Sequence, residues 1–510
     1  MNKSRFLLGA IGGWFEIGLI LLINFLLVPI YLSNWSIEVY SAWILLISIW
    51  GISSLLHLGH SDFIYHKSLN FKSKIIKKSN IDIISSLPYA LIISLIILII
   101  SYLNIDMNFI SNLLKISTDL EEIWNISFFY ITIVGVLLGS NKIFFQGPLA
   151  ITGNFHIYVW SNFYHLLIIS VVPGIAVLLG ANFELAVKSL LIAEFVSLIF
   201  IYYFFIIILR KKGFKIYKPN FIIGLNNLIL SLWTFLKIIV EFFNQTGIRF
   251  LVSAIYGPII LVYFSTTRTV ANVLTQVLKA IGKPLLPELM YYVKNKKKQN
   301  VIAIFELIYL IILLLICPVA FFLQLAMPYF FELWTLGKIT FDPFVYLILT
   351  QSIIFHALCM PAERILTGSN LYKLNFFFKL IIFLIMLFYI YLTHESLEII
   401  NVGIAILISE VLLFMSSYIL LLKYVIDIKF NWTMRKLFIP LTSVIITFIF
   451  SSLLAIDTLN ITLIISIFVI LQLFFSVLFY KKTSELTKIK ILEFKNKIIK
   501  LMVNKKLKNL

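Results

Sequence analysis

The sequence predicts an all-α polytopic membrane protein with about fourteen transmembrane helices. Three observations carry that prediction. Hydrophobic residues fill 61% of the 510 positions and mean hydropathy is +1.02. Charged residues make up only 13%, about half the share of a soluble domain. Uncharged apolar runs of membrane-crossing length recur along the whole chain, and a helix spanning ~30 Å of hydrocarbon needs such runs.

Taken in order, the runs read as helices at 6–31, 39–60, 84–103, 123–140, 157–180, 185–209 and 223–249. They continue at 259–282, 301–327, 343–364, 374–393, 397–423, 437–455 and 460–480. The loops between them alternate in charge. One side holds Lys67 to Lys78, Arg210 to Lys218, Lys294 to Lys298, Arg435 with Lys436, and a tail of ten Lys from Lys481 onward. The other side is acidic and short: Asp106 to Glu122, Glu184, Glu332 to Asp342, His394 to Glu398, and Asp457. The great majority of the 42 Lys and Arg residues lie on the first side. The inside-positive bias makes that side cytoplasmic and puts both termini there. Lys115, Lys188, Arg249 and Lys338 lie on or near the second side, and Lys237 lies within a helix.

The net charge of +19 sits in short clusters between apolar runs, so topology accounts for it and no nucleic-acid face is implied. The opening run continues to Tyr31 and contains Glu16, too long for a signal-peptide core of ~7–15 residues; it reads as a retained first helix. Cys317 and Cys359 lie in apolar runs without a CxxC or His partner and read as small hydrophobes. Leu486, Ile489, Leu492, Ile499 and Met502 recur at near-helical spacing, giving either an amphipathic helix on an anionic leaflet or a frayed basic tail. The outer loops are too short for an extracytoplasmic domain, and the inner ones for a catalytic domain. Function is expected within the bilayer, with no soluble-enzyme motif and no metal site.

A faint internal repeat divides the chain. Glu194 and Tyr202 in the sixth run echo Glu410 and Tyr418 in the twelfth, and Tyr40 echoes Tyr263 at a similar offset. Two parallel six-helix halves are expected, at 1–209 and 223–423, joined by a basic linker at 210–222. Helices 13 and 14 (424–480) and the basic tail (481–510) follow.

A charge near the middle of a bilayer costs ~2.5–3.5 kcal/mol on insertion scales, so each one is expected to face a cavity or a partner. Runs 1, 7 and 8 carry most of them. In run 8, Ser265, Arg268, Asn272, Gln276 and Lys279 are three or four apart and form one polar stripe. Run 7 offers Lys237, Glu241, Asn244, Gln245 and Arg249, run 1 offers Glu16 and Asn24, and run 2 contributes Trp43, Trp50, His57 and His60. A polar lumen between helices 1, 2, 7 and 8 follows, with Arg268, Asn272, Gln276, Lys237, Arg249, Trp50 and His57 as candidate substrate contacts.

Alternatives stay open at several of these positions. Lys237 and Glu241, four apart, either neutralise each other or leave Glu241 as a candidate for coupling to a proton or sodium ion; Glu16 either pairs with Lys237 across helices or is a second coupling candidate. Glu194 and Glu410 read as structural acids within each half. Asp62, Glu306 and Lys379, near cytoplasmic ends, are expected to snorkel. Gly9 and Gly13 suggest close helix contact.

Several segments together resemble the Wzx-type polysaccharide flippases of the multidrug/oligosaccharidyl-lipid/polysaccharide exporter superfamily. The stretch SIEVYSAWILLISIWGISSLLHLGHSDFIYHK is similar to the family's opening, with His57 where an acid is usual. KPLLPELMYYVKNKKKQN and PYFFELWTLGKITF are also similar to family segments. The resemblance extends over essentially the whole chain. It implies two six-helix lobes around a central cavity and translocation of undecaprenyl-diphosphate-linked oligosaccharide from the cytoplasmic to the periplasmic leaflet for surface polysaccharide assembly. By position it implies that Arg268 binds the diphosphate. The family's basic residue in helix 1 has no counterpart here, because Glu16 stands in that region. Arginine suits such a site because its planar fork binds phosphate oxygens in pairs and stays charged.

Two rival classes are weighed against this. A membrane glycosyltransferase, polymerase or ligase needs a sizeable outer loop that the sequence lacks. A cation-coupled drug or metabolite antiporter would need only twelve helices and an acidic lumen.

Overall fold

The computed structural model describes residues 3–55, 60, 63–64, 76–151, 154–211, 217–295, 297–368, 372–396, 398–424, 431–456 and 460–492. Among them the chain is helical throughout, with fourteen long helices at the places the apolar runs predict. These are α1 (Lys3–Asn34), α2 (Ile37–Leu55), α3 (Ile76–Met107), α4 (Thr118–Ile151), α5 (Phe155–Leu178) and α6 (Phe183–Lys211). Next, α7 runs from Phe221–Phe242 through a π turn, Phe243–Gly247, into Ile248–Tyr256. After α8 (Pro258–Lys294), α9 begins as Lys298–Ile311, passes a second π turn at Ile312–Ile316 and ends as Cys317–Trp334. Then come α10 (Pro343–Gly368), α11 (Tyr372–Thr393), α12 (Ile399–Tyr424), α13 (Asn431–Ile456) and α14 (Ile461–Lys482).

Twelve of these are long and apolar enough to cross a membrane, and the protein is a multi-pass membrane protein. Helix α2 is apolar but shorter, through Ile37–Ser53. Helix α8 is outside the twelve because its polar stripe dilutes the hydropathy. Several helices run past the predicted spans: α3 starts at Ile76, α4 reaches Ile151 and α8 reaches Lys294. Hydropathy marks the hydrocarbon slab, whereas backbone hydrogen bonding carries a helix on into the headgroup zone.

The lipid-facing pattern is explicit in α3. Leu91, Leu95 and Ile99 are each more than half exposed, while Ser94 and Ser101 are buried. Helix α14 repeats it, with Ile470 and Phe474 outward and Gln472 and Ser476 inward. Apolar side chains in contact with lipid need no burial, and polar ones find their partners inside.

The chain packs as two compact units. The first comprises Met1–Gln276, Phe330–Phe341 and Tyr372–Ala405; the second comprises Val277–Tyr329, Asp342–Leu371 and Ile406–Leu510. In the first, α1 packs along α5, α2 along α4, α5 along α6, and α7 against both α3 and α11. Glycine permits two of these approaches. A Cβ on Gly12 would lie 3.1 Å from Trp160 Nε1, and one on Gly224 would lie 2.0 Å from the Ser85 carbonyl oxygen. The close approach in helix 1 is at Gly12, which is neither of the glycines, Gly9 and Gly13, named from the sequence.

Helix irregularities free backbone carbonyls, and in lipid each must be satisfied internally. Pro29 has no N–H for the carbonyl of Phe25, four residues earlier; Trp334 Nε1 donates to that oxygen at 2.8 Å. A π turn likewise shifts the carbonyl ladder. At the first, Arg268 donates to the Asn244 carbonyl at 3.4 Å. At the second, in the other unit, Gln472 Nε2 donates to the Leu313 carbonyl at 2.5 Å, while its own oxygen accepts from Ser443 at 2.9 Å.

In the second unit, α13 packs on α14 and on α10. Glu306 is 1% exposed and accepts from Ser484 N, Ser484 Oγ and Thr487 Oγ1. The snorkelling expected of Glu306 is thus corrected. Its carboxylate caps the N-terminus of a short helix at 485–492, where a negative charge meets free N–H groups and the positive end of the dipole. Cys317 and Cys359 are buried thiols that form no disulfide, and Cys359 Sγ donates to Ser417 Oγ at 3.4 Å.

Candidate functional site

In the first unit, α1, α2, α5, α6, α7 and α8 enclose a cavity of about 250 Å³. The four helices named by the charge distribution all contribute: Asn24 and Tyr31 from α1, Tyr40, Trp43 and Trp50 from α2, Arg249 from α7, and Ser265 and Thr269 from α8. The fifth and sixth helices complete the wall with Leu166, Ile169, Ser170 and Leu190. A cleft of about 10 Å³, water-sized, lies along the same stripe between Asn24, Thr269, Asn272 and Gln276.

The aromatic wall is ordered by its own packing. Tyr31 stacks on Trp35 at 5.1 Å and on Tyr40 at 5.8 Å, and lies 5.5 Å from Trp43. Among the described residues Arg249 is the one charged member of the lining. Its NH1 donates to Ser48 Oγ at 3.3 Å. Arg249 Nε, Trp50 Nε1 and Ser265 Oγ are buried without a hydrogen-bond partner among the described residues. A buried donor left unpaired costs ~1–3 kcal/mol, so these three atoms are a local cost of packing the polar side chains around the cavity.

Three other cations near helix ends have structural partners. Lys115 donates to the Ile255 carbonyl at 3.0 Å, in the last turn of α7. Lys338 Nζ donates to the Leu32 carbonyl, in the last turn of α1. Both satisfy orphan carbonyls at the negative end of a helix dipole. Lys188 pairs with Glu184 one turn away at 2.6 Å.

Deeper in the same unit, Glu241 stands between two ammonium groups. Lys237 Nζ lies 3.3 Å and Lys379 Nζ 2.5 Å from the same oxygen, Oε1. Lys379 is 4% exposed, so the snorkelling expected of it is also corrected: α11 turns it inward onto α7. The pairing of Lys237 with Glu241 is present, and Lys379 shares the same carboxylate oxygen.

Arg268 lies outside the lining of both cavities, with its guanidinium on the Asn244 carbonyl and 5.7 Å over the Phe264 ring. Glu16 is partly buried on α1, also away from both linings. His60 meets Ser231 at 3.1 Å. His57 and Asp62 lie outside the described residues. The two acids of the internal repeat each face a histidine. His165 Nε2 is 3.2 Å from Glu194, at ion-pair distance but misaligned for a linear hydrogen bond, and His356 Nδ1 is 3.0 Å from Glu410. Neither histidine was marked by sequence reasoning; an intramembrane His on an apolar face was the available signal.

No protein-family model matches the chain, and no curated protein matches its sequence. Solved structures do match in fold. A lipid II flippase, MurJ, in an inward closed conformation superposes with a TM-score of 0.62 at 16% identity, covering 93% of this chain and 99% of that one. The chain has that fold. An inward-facing multidrug resistance MATE family transporter of the MOP superfamily gives a TM-score of 0.58 at 15% identity, over 78% of this chain and 93% of its own. A eukaryotic MATE transporter gives 0.57 at 13%, over 81% and 93%.

Proposed function

We propose that the chain is a Wzx-type flippase, moving an undecaprenyl-diphosphate-linked oligosaccharide from the cytoplasmic to the periplasmic leaflet by alternating access, for surface polysaccharide assembly. The observation that carries this reading is coverage. The lipid-flippase fold accounts for 93% of the chain, whereas the MATE folds leave about a fifth of it unmatched. A transporter for cationic drugs is the second reading, and the lining disfavours it, because among the described residues the one charged member around the large cavity is Arg249.

The task itself fits what is built. A diphosphate and its sugars cannot cross hydrocarbon unaided, whereas a prenyl tail can remain in lipid. The protein must supply a polar, cationic interior, and the cavity of the first unit offers Arg249 with Asn24, Ser265 and Thr269. Two six-helix lobes rocking about a fixed site would open it to either side in turn. We place the chain in the bacterial inner membrane with both termini cytoplasmic. Glu241 is matched by two ammonium groups, and Glu16 stays a second candidate for a coupling proton or sodium ion.

Lipid extraction from a strain lacking the gene tests the reading. One polyprenyl-diphosphate-linked repeat unit should accumulate on the cytoplasmic leaflet. A normal lipid-linked pool, with loss of drug resistance instead, would favour the antiporter reading.

A further inference from the structure

The large cavity of the first unit combines features that none of the comparisons assigns. Its lining joins one arginine to four aromatic residues, Tyr31, Tyr40, Trp43 and Trp50. At about 250 Å³ it falls below the range of drug-sized ligand pockets, ~300–1,000 Å³, which suits a single monosaccharide unit. Flat aromatic faces present an apolar surface to the C–H face of a pyranose, and the edges leave polar tips for hydroxyl groups.

The cation decides the kind of sugar. Lys115, Lys188 and Lys338 at the same helix ends are each bound to a carbonyl or an acid. Arg249 has no carboxylate at ion-pair distance among the described residues, and its Nε lacks a partner, as do Trp50 Nε1 and Ser265 Oγ. A guanidinium fork pairs naturally with a planar carboxylate. A diphosphate is the other anion available in the proposed cargo. It brings two ionised groups against a single cation, and burying one of them uncompensated is strongly unfavourable.

We propose that this cavity is a sugar subsite selective for an acidic monosaccharide, with Arg249 binding the carboxylate and the α1–α2 aromatic wall framing the ring. The inference rests on the lipid-linked-glycan reading and narrows it to cargo carrying a uronic acid.

The test uses full-length protein in lipid nanodiscs and two soluble probes: a glucuronate-containing disaccharide, and the same disaccharide with its carboxyl group reduced to the alcohol. Binding is read by saturation-transfer NMR, with inorganic pyrophosphate as competitor. The acidic probe should bind roughly tenfold or more tighter than the reduced one. Arg249→Gln should abolish that preference while leaving weak binding of both, and Arg249→Lys should restore it in part. Equal binding of the two probes by the natural protein, or binding of neither, would overturn the subsite without recourse to any variant. Displacement by pyrophosphate at lower concentration than the acidic probe itself requires would reassign the cavity to the lipid diphosphate. None of these failures touches the flippase reading, which stands or falls on the lipid pool of the deletion strain.

Discussion

Glu241 shares one carboxylate oxygen between Lys237 and Lys379, so the three members of the cluster are not equivalent under substitution. Lys237→Met leaves a neutral Glu241–Lys379 pair, and thermal stability in detergent should hold or rise. Glu241→Gln removes the carboxylate that both ammonium groups contact and should lower thermal stability more than Lys237→Met does. Thermal unfolding of the purified variants checks the order; a milder effect for Glu241→Gln than for Lys237→Met would refute the cluster. The sequence carried half of this site. A four-residue spacing made the Lys237–Glu241 pair legible, whereas Lys379 lies 138 residues further on, and nothing local says which way it turns. The same limit applied to Arg268. Its stripe was readable from the spacing, but the π turn that offers it the Asn244 carbonyl leaves no mark in hydropathy.

Among the elements, α1 carries a self-consistent repair. Pro29 removes the partner of the Phe25 carbonyl, and Trp334 replaces it. Trp334→Phe should therefore destabilise the protein by ~1–3 kcal/mol. Adding Pro29→Ala should recover most of that, because the new N–H closes the ordinary helical bond. Unfolding midpoints of the single and double variants decide it, and purely additive losses would contradict the repair. The helices themselves were legible because an uncharged apolar run of membrane-crossing length is stable in hydrocarbon and a liability in water. Their ends were not, since Ile76, Ile151 and Lys294 lie in polar or mixed sequence where only hydrogen bonding prolongs the helix. The fifth and sixth helices were missed as cavity walls because Leu166, Ile169 and Leu190 carry no charge to flag them.

For the whole molecule, the distribution of Lys and Arg between loops predicts that both termini face the cytoplasm. A reporter fused after Lys482 should be active only in a cytoplasmic format, and periplasmic activity there would invert the topology. The fold, with its helical spans, was readable over almost the full length, while the cargo was reached only through resemblance and cavity chemistry. The direct test is transport itself. Purified protein in proteoliposomes should speed the movement of a polyprenyl-diphosphate-linked oligosaccharide between leaflets, read as the fraction open to an impermeant sugar-oxidising reagent. Arg268→Ala should reduce that rate at least about tenfold, with Arg268→Lys recovering part of it. Protein-independent exchange of the lipid, in vesicles where the same preparation exchanges a cationic drug for protons, would contradict the account.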